Sequence, residues 1–113
     1  LNADPSDGDS IPGAINQLLD SPRINSSRIP HSTGAAEATR LQAGVNLQHQ
    51  GDPATDTSDF NDERVGNLRL DYLLPSSDLN IAGCGVFWPG AAEEGAELVE
   101  ASDHRLVWLD IQL

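Results

Sequence analysis

Large apolar residues gather in the last third of the chain, where three stretches have the density and the β-branched and aromatic content of strands. These are Asn67-Leu-Arg-Leu-Asp-Tyr-Leu-Leu74, residues 79–88, and His104-Arg-Leu-Val-Trp-Leu-Asp-Ile111. Alternation in the first sets Arg69, Asp71 and Leu73 on one face and Leu68, Leu70 and Tyr72 on the other. Pro75-Ser-Ser-Asp78 is short enough to join neighbouring antiparallel strands, whereas the Gly- and Glu-rich residues 89–101 predict a longer loop. The core is expected in this C-terminal third.

Upstream the pattern loosens. Residues 2–13 are dense in Asp, Ser, Gly and Pro and predict a loop. Ile15, Leu18 and Leu19 then fall at helical spacing before Ser21-Pro22, which predicts a short surface helix over 13–20. Residues 22–62 are polar, with one helix-permitting patch at 34–43. A connection of that length normally packs against something or shapes a site.

Composition narrows the picture. At 113 residues the chain has room for one core. It has no Met and begins at Leu1, from which we expect a piece of a longer protein. Eighteen acidic residues face six Arg, a net charge of −12 that excludes an overall basic nucleic-acid footprint and repels long duplexes. No apolar run approaches the roughly 20 residues of a membrane span, and no signal-peptide pattern opens the chain. Cys84 is the sole cysteine, so no internal disulfide can form, and its apolar setting predicts a buried structural thiol.

Among candidate chemical groups, Ser102-Asp103-His104 offers a carboxylate and an imidazole where the last strand opens. Asp71, in mid-strand among apolar neighbours, needs a partner to offset desolvation, and a histidine on a nearby strand would meet that need. An Asp beside a His fixes the imidazole tautomer and supports a ring that donates to a phosphoryl oxygen. The opening run from Asp4 to Asp9 fails the calcium-loop pattern, since Ile15 stands where a bidentate Glu is required, and predicts a solvated turn. His31 and His49 read as surface residues, with His49 and Asp52 able to rim a cleft. Trp88 and Trp108 read as core or sheet-packing residues, and residues 93–97 as a solvated acidic loop.

Two of these motifs carry a family resemblance. Leu68-Arg69-Leu70-Asp71-Tyr72-Leu73-Leu74 resembles the Arg-x-Asp-Tyr strand of the endonuclease/exonuclease/phosphatase (deoxyribonuclease I-like) family, and Ser102-Asp103-His104 resembles its terminal Ser-Asp-His motif. Leu1-Asn2-Ala3-Asp4-Pro5 is similar to the end of its Gly-Asp-x-Asn motif, without the Gly and Asp. Residues 56–60 and 85–89 are similar to a bacterial, often exported branch.

The resemblance implies an α/β (α+β) fold: residues 1–113 would be the C-terminal part of a single four-layer α/β/β/α two-sheet sandwich, mostly antiparallel with short helices. It implies a metal-dependent phosphoesterase acting through activated water. Asn2 would position the water or phosphate, Asp71 would orient His104, His104 would contact the scissile phosphate, and Asp103 would ligate or orient a divalent metal, Mg²⁺ with Mn²⁺ or Ca²⁺ as alternatives. The family's other metal-site residues would precede Leu1. The expected partners are therefore the missing N-terminal segment, in the same or a separate chain, and a phosphoester, and the piece alone would be inactive. The branch implies a secreted or periplasmic bacterial protein; oligomeric state is left open. The alternative is a catalytically inactive binding module of the same fold that uses residues 22–62. A weaker third reading, from charge alone, is a secreted cation-binding protein.

Overall fold

The computed structural model describes residues 2–11 and 13–113. Leu1, which opens the first motif, and Pro12, within the loop expected over 2–13, lie outside them. The described residues form an α+β fold of two small antiparallel sheets and a few short helices.

The expected helix near the start is a single turn, α1 (Asn16–Leu19), bounded by Asp20 and followed by Ser21-Pro22. The helix-permitting patch becomes α2 (Thr33–Gln42), opened by Ser32, whose Oγ accepts the amide hydrogen of Ala35 at 3.1 Å. Two 3₁₀ turns follow, Gly44–Gln48 and Pro53–Thr55, so the long polar segment is ordered packing material.

The first predicted strand is corrected. Only β2 (Asn67–Leu68) pairs in a ladder, with the equally short β1 (Ser58–Asp59), while 69–74 make no ladder. The turn at 75–78 does not join two neighbouring strands as expected. β3 (Asn80–Phe87) pairs instead with β4 (Leu106–Gln112), from Asn80↔Gln112 to Phe87↔Leu106, with a bulge between Ile81 and Gly83. The amides of residues 69–71 are taken up by side chains, as described below, and so are not available to a ladder partner. The loop expected over 89–101 contains a 3₁₀ helix, Ala96–Ala101.

Ala35, Val86 and Trp88 form a buried cluster, with Ala38, Val99 and Val107 packed against it. Gly34 lets α2 approach β3: a Cβ there would overlap the Trp88 carbonyl. Ile15, Leu68 and Leu70 are also buried, so the core draws on the first third of the chain and is not confined to the last. Trp88 is core, as predicted. Trp108 is 42% exposed, its indole lying over Gly85, where a Cβ would sit 2.8 Å from the ring. Cys84 is only partly buried, a second correction: it lies on a two-stranded ladder outside the buried cluster of Ala35, Val86 and Trp88.

Candidate active site

Thr57 is the hub of the site. Its amide donates to the Leu68 carbonyl at 2.9 Å and its own carbonyl accepts from the Arg105 amide at 2.8 Å, so the backbone before β1 runs between the segments that carry Asp71 and His104. Asp59 N–H donates to the Asp103 carbonyl at 2.8 Å, and Ser58 forms an isolated bridge with His104. His104 thus sits two residues before β4 and does not open it.

The Thr57 hydroxyl is saturated. It accepts the amides of Leu70 and Asp71, both at 3.0 Å, and donates to Asp71 Oδ2 at 2.7 Å. These bonds take up the strand edge that would otherwise seek a ladder partner. The Asp71 carboxylate in turn faces His104 Nδ1, at 2.8 Å from Oδ2 and 3.1 Å from Oδ1. With a carboxylate as the only partner, Nδ1 carries the proton and Nε2 is the nitrogen left for a ligand. The Phe60 ring stands edge-on to the imidazole with centroids 5.8 Å apart, which restricts ring rotation. Both members of the pair are about one-third exposed, so the pair is accessible from solvent.

Arg105 anchors the base of this arrangement. Its side chain donates to the carbonyls of Val99 and Ser102 and pairs with Asp59 at 3.0 Å, while its guanidinium lies 4.4 Å from the Trp88 ring. Burial lowers its pKa, an effect opposed by Asp59 and Asp103.

The opening segment is tied to the segment that carries Asp71. The Tyr72 hydroxyl lies 2.6 Å from the Ala3 carbonyl and 2.7 Å from that of Arg69, and Asp4 Oδ2 accepts the Arg69 amide at 2.7 Å. Burial pushes the Tyr72 hydroxyl above its ordinary pKa range. Asn2 is exposed beside these ties. The solvated turn expected at 4–9 is corrected for Asp4, which is buried because its other oxygen caps the amides of Ser6 and Asp7. Asp7 reaches the amides of Gln50 and Gly51, both at 2.8 Å, stitching that turn to the polar segment. Asp56, 8% exposed and without a hydrogen-bond donor among the described residues, is pushed up to about 8 by burial and then by Asp4, Asp7 and Asp52.

Of the predicted site residues, Asp71 and His104 are brought into contact, Asn2 is exposed next to Ala3, whose carbonyl bonds Tyr72, and Asp103 lies exposed beside His104. His31 is exposed and His49 partly so, and His49 and Asp52 line different cavities. No group of three His, Cys, Asp or Glu among the described residues could hold a metal ion. Asp103 belongs to no such group, so a cation there would have to take its other ligands from outside the described residues. Thr57 and Arg105 were missed by sequence reasoning. Nothing in Asp56-Thr57-Ser58 marks a hub, whereas Arg105 beside His104 was a strand-start cation that alternation could have assigned inward.

No helix among the described residues is long and apolar enough to cross a membrane. The endonuclease/exonuclease/phosphatase family model matches residues 1–104. No curated protein and no solved structure matches the chain.

Proposed function

The chain belongs to the endonuclease/exonuclease/phosphatase family, and we propose that it carries the Asp–His half of a divalent-metal-dependent phosphoesterase site. The observation that supports this most is the bond between His104 Nδ1 and Asp71 Oδ2, 2.8 Å long. With Nδ1 held there, Nε2 donates to an oxygen of the scissile phosphate and offsets the charge that gathers on it during displacement. Asp71 stabilises the positive ring and fixes its orientation, and the Thr57 hydroxyl fixes Asp71. Asn2 positions the attacking water or the phosphate. Asp103 would hold the cation, Mg²⁺ before Mn²⁺ or Ca²⁺, which when bound neutralises phosphate charge.

The rest of the domain supplies the remaining site residues. Support comes from the β3–β4 ladder, whose Leu106 and Trp108 are 67% and 42% exposed, an apolar surface that single soluble domains normally cover. The chain by itself is accordingly inactive. Similarity of residues 56–60 and 85–89 to an exported bacterial branch supports a secreted or periplasmic setting, and the charge of −12 favours short or small phosphoesters over long duplexes.

The test is hydrolysis of bis(p-nitrophenyl) phosphate and p-nitrophenyl phosphate by the complete protein, stripped with EDTA and reloaded. Turnover that returns with Mg²⁺ is expected. No turnover of either ester with Mg²⁺, Mn²⁺ or Ca²⁺ contradicts the proposal.

A further inference from the structure

Arg69 is a partly buried cation that makes no side-chain hydrogen bond and no ion pair among the described residues. Its guanidinium lies 4.8 Å from the Tyr72 ring centroid, a contact that offsets only part of the cost of desolvating it. Asp4 favours its charged form, but no ion pair joins the two among the described residues. Asp4 is committed to three backbone amides. Asp56, which lines a second cavity with Arg69, keeps its proton through most of the neutral range.

On its other side Arg69 lines a cavity of about 210 Å³ together with Asp71, Arg28 and Asn25. Arg28 is anchored there by its Nη1, which donates to the Ala82 carbonyl at 2.9 Å and to that of Ile81 at 3.4 Å, while its Nη2 and Nε make no hydrogen bond among the described residues. Two of the six cations of a chain with eighteen acids thus meet in the cavity that contains Asp71. Asp71 answers to His104, and Asp20 on the rim is exposed and solvated.

We propose that this cavity is an anion subsite in which Arg69, assisted by Arg28, receives a second phosphate of the substrate, next to the one that meets His104. The proposal rests on the phosphoesterase reading. Two residues of chain span at most about 7 Å, so Arg69 lies close to Asp71 yet is displaced from the His104 ring toward the cavity. A planar guanidinium with free paired donors matches a phosphate bidentately. The substrate class is therefore an ester with at least two phosphates, from a nucleotide chain or from a multiply phosphorylated small molecule.

Calorimetric titration of the complete protein with thymidine 3′,5′-bisphosphate, thymidine 5′-phosphate and inositol 1,4-bisphosphate tests it, beside the hydrolysis assay. The wild-type protein is expected to bind at least one bisphosphate about tenfold or more tighter than the monophosphate. Which bisphosphate binds separates the two sources. Arg69→Met should bring that ratio to near one, with Arg69→Lys between. A wild-type ratio near one, or a ratio that Arg69→Met leaves intact, overturns the subsite. A ratio that persists in a protein that hydrolyses nothing upholds the subsite and overturns the catalytic reading, so the two fail separately.

Discussion

The Thr57 hydroxyl donates to Asp71 Oδ2 at 2.7 Å, and His104 Nδ1 meets the same oxygen at 2.8 Å. One buried threonine thus determines where the carboxylate stands and, through it, which nitrogen of the imidazole faces the substrate. Thr57→Val keeps the volume but leaves the Leu70 and Asp71 amides without that acceptor. We expect a loss of about 1–3 kcal/mol in urea unfolding, the cost of buried groups left unsatisfied. Turnover should also fall, with Thr57→Ser restoring most of both. A Thr57→Val protein of wild-type stability and turnover would show that the hydroxyl is dispensable.

Part of this was legible in the sequence. Asp71 announced its need for a partner by standing among apolar residues, and His104 was the basic group positioned to meet it. β3 and β4 were visible because they are long and rich in Val, Ile, Leu and aromatic residues. The failure at 69–74 has a physical cause: the amides of residues 69 to 71 are taken by Asp4 and Thr57 side chains, and no pattern of apolar positions reports such capture. β3 pairs with β4 and not with the segment before it, whose first amides are already bonded to side chains. The buried position of Asp4 was hidden because an Asp-Pro-Ser-Asp run reads as a solvated turn until its amide partners are known.

Asp56 makes stability depend on pH. Its folded pKa, about 8, stands above its ordinary 3.8, so the folded state binds more protons and stability falls as pH rises from about 4 to 8, then levels. Asp56→Asn removes the ionisable group. The gain in unfolding free energy of the variant over wild type should be small at pH 5 and on the order of a few kcal/mol at pH 9. Equal gains at both pH values would contradict this.

Arg105 holds the segment beneath His104. Arg105→Met keeps a similar stem but abandons Asp59 and the carbonyls of Val99 and Ser102. Breaking such a buried pair costs about 3–5 kcal/mol, with the lower end expected because the Asp59 side chain is 26% exposed. A melting temperature unchanged from wild type would rule out this anchoring role.

The central claim is that the Asp71–His104 pair acts on a phosphoester. Its most direct test is kcat/KM of the complete protein for bis(p-nitrophenyl) phosphate, wild type against His104→Ala, with urea midpoints measured on both. The account predicts a loss of about 10²–10⁴-fold at an essentially unchanged midpoint, the contribution of a positioned acid–base group. An unchanged kcat/KM in the folded variant would contradict it.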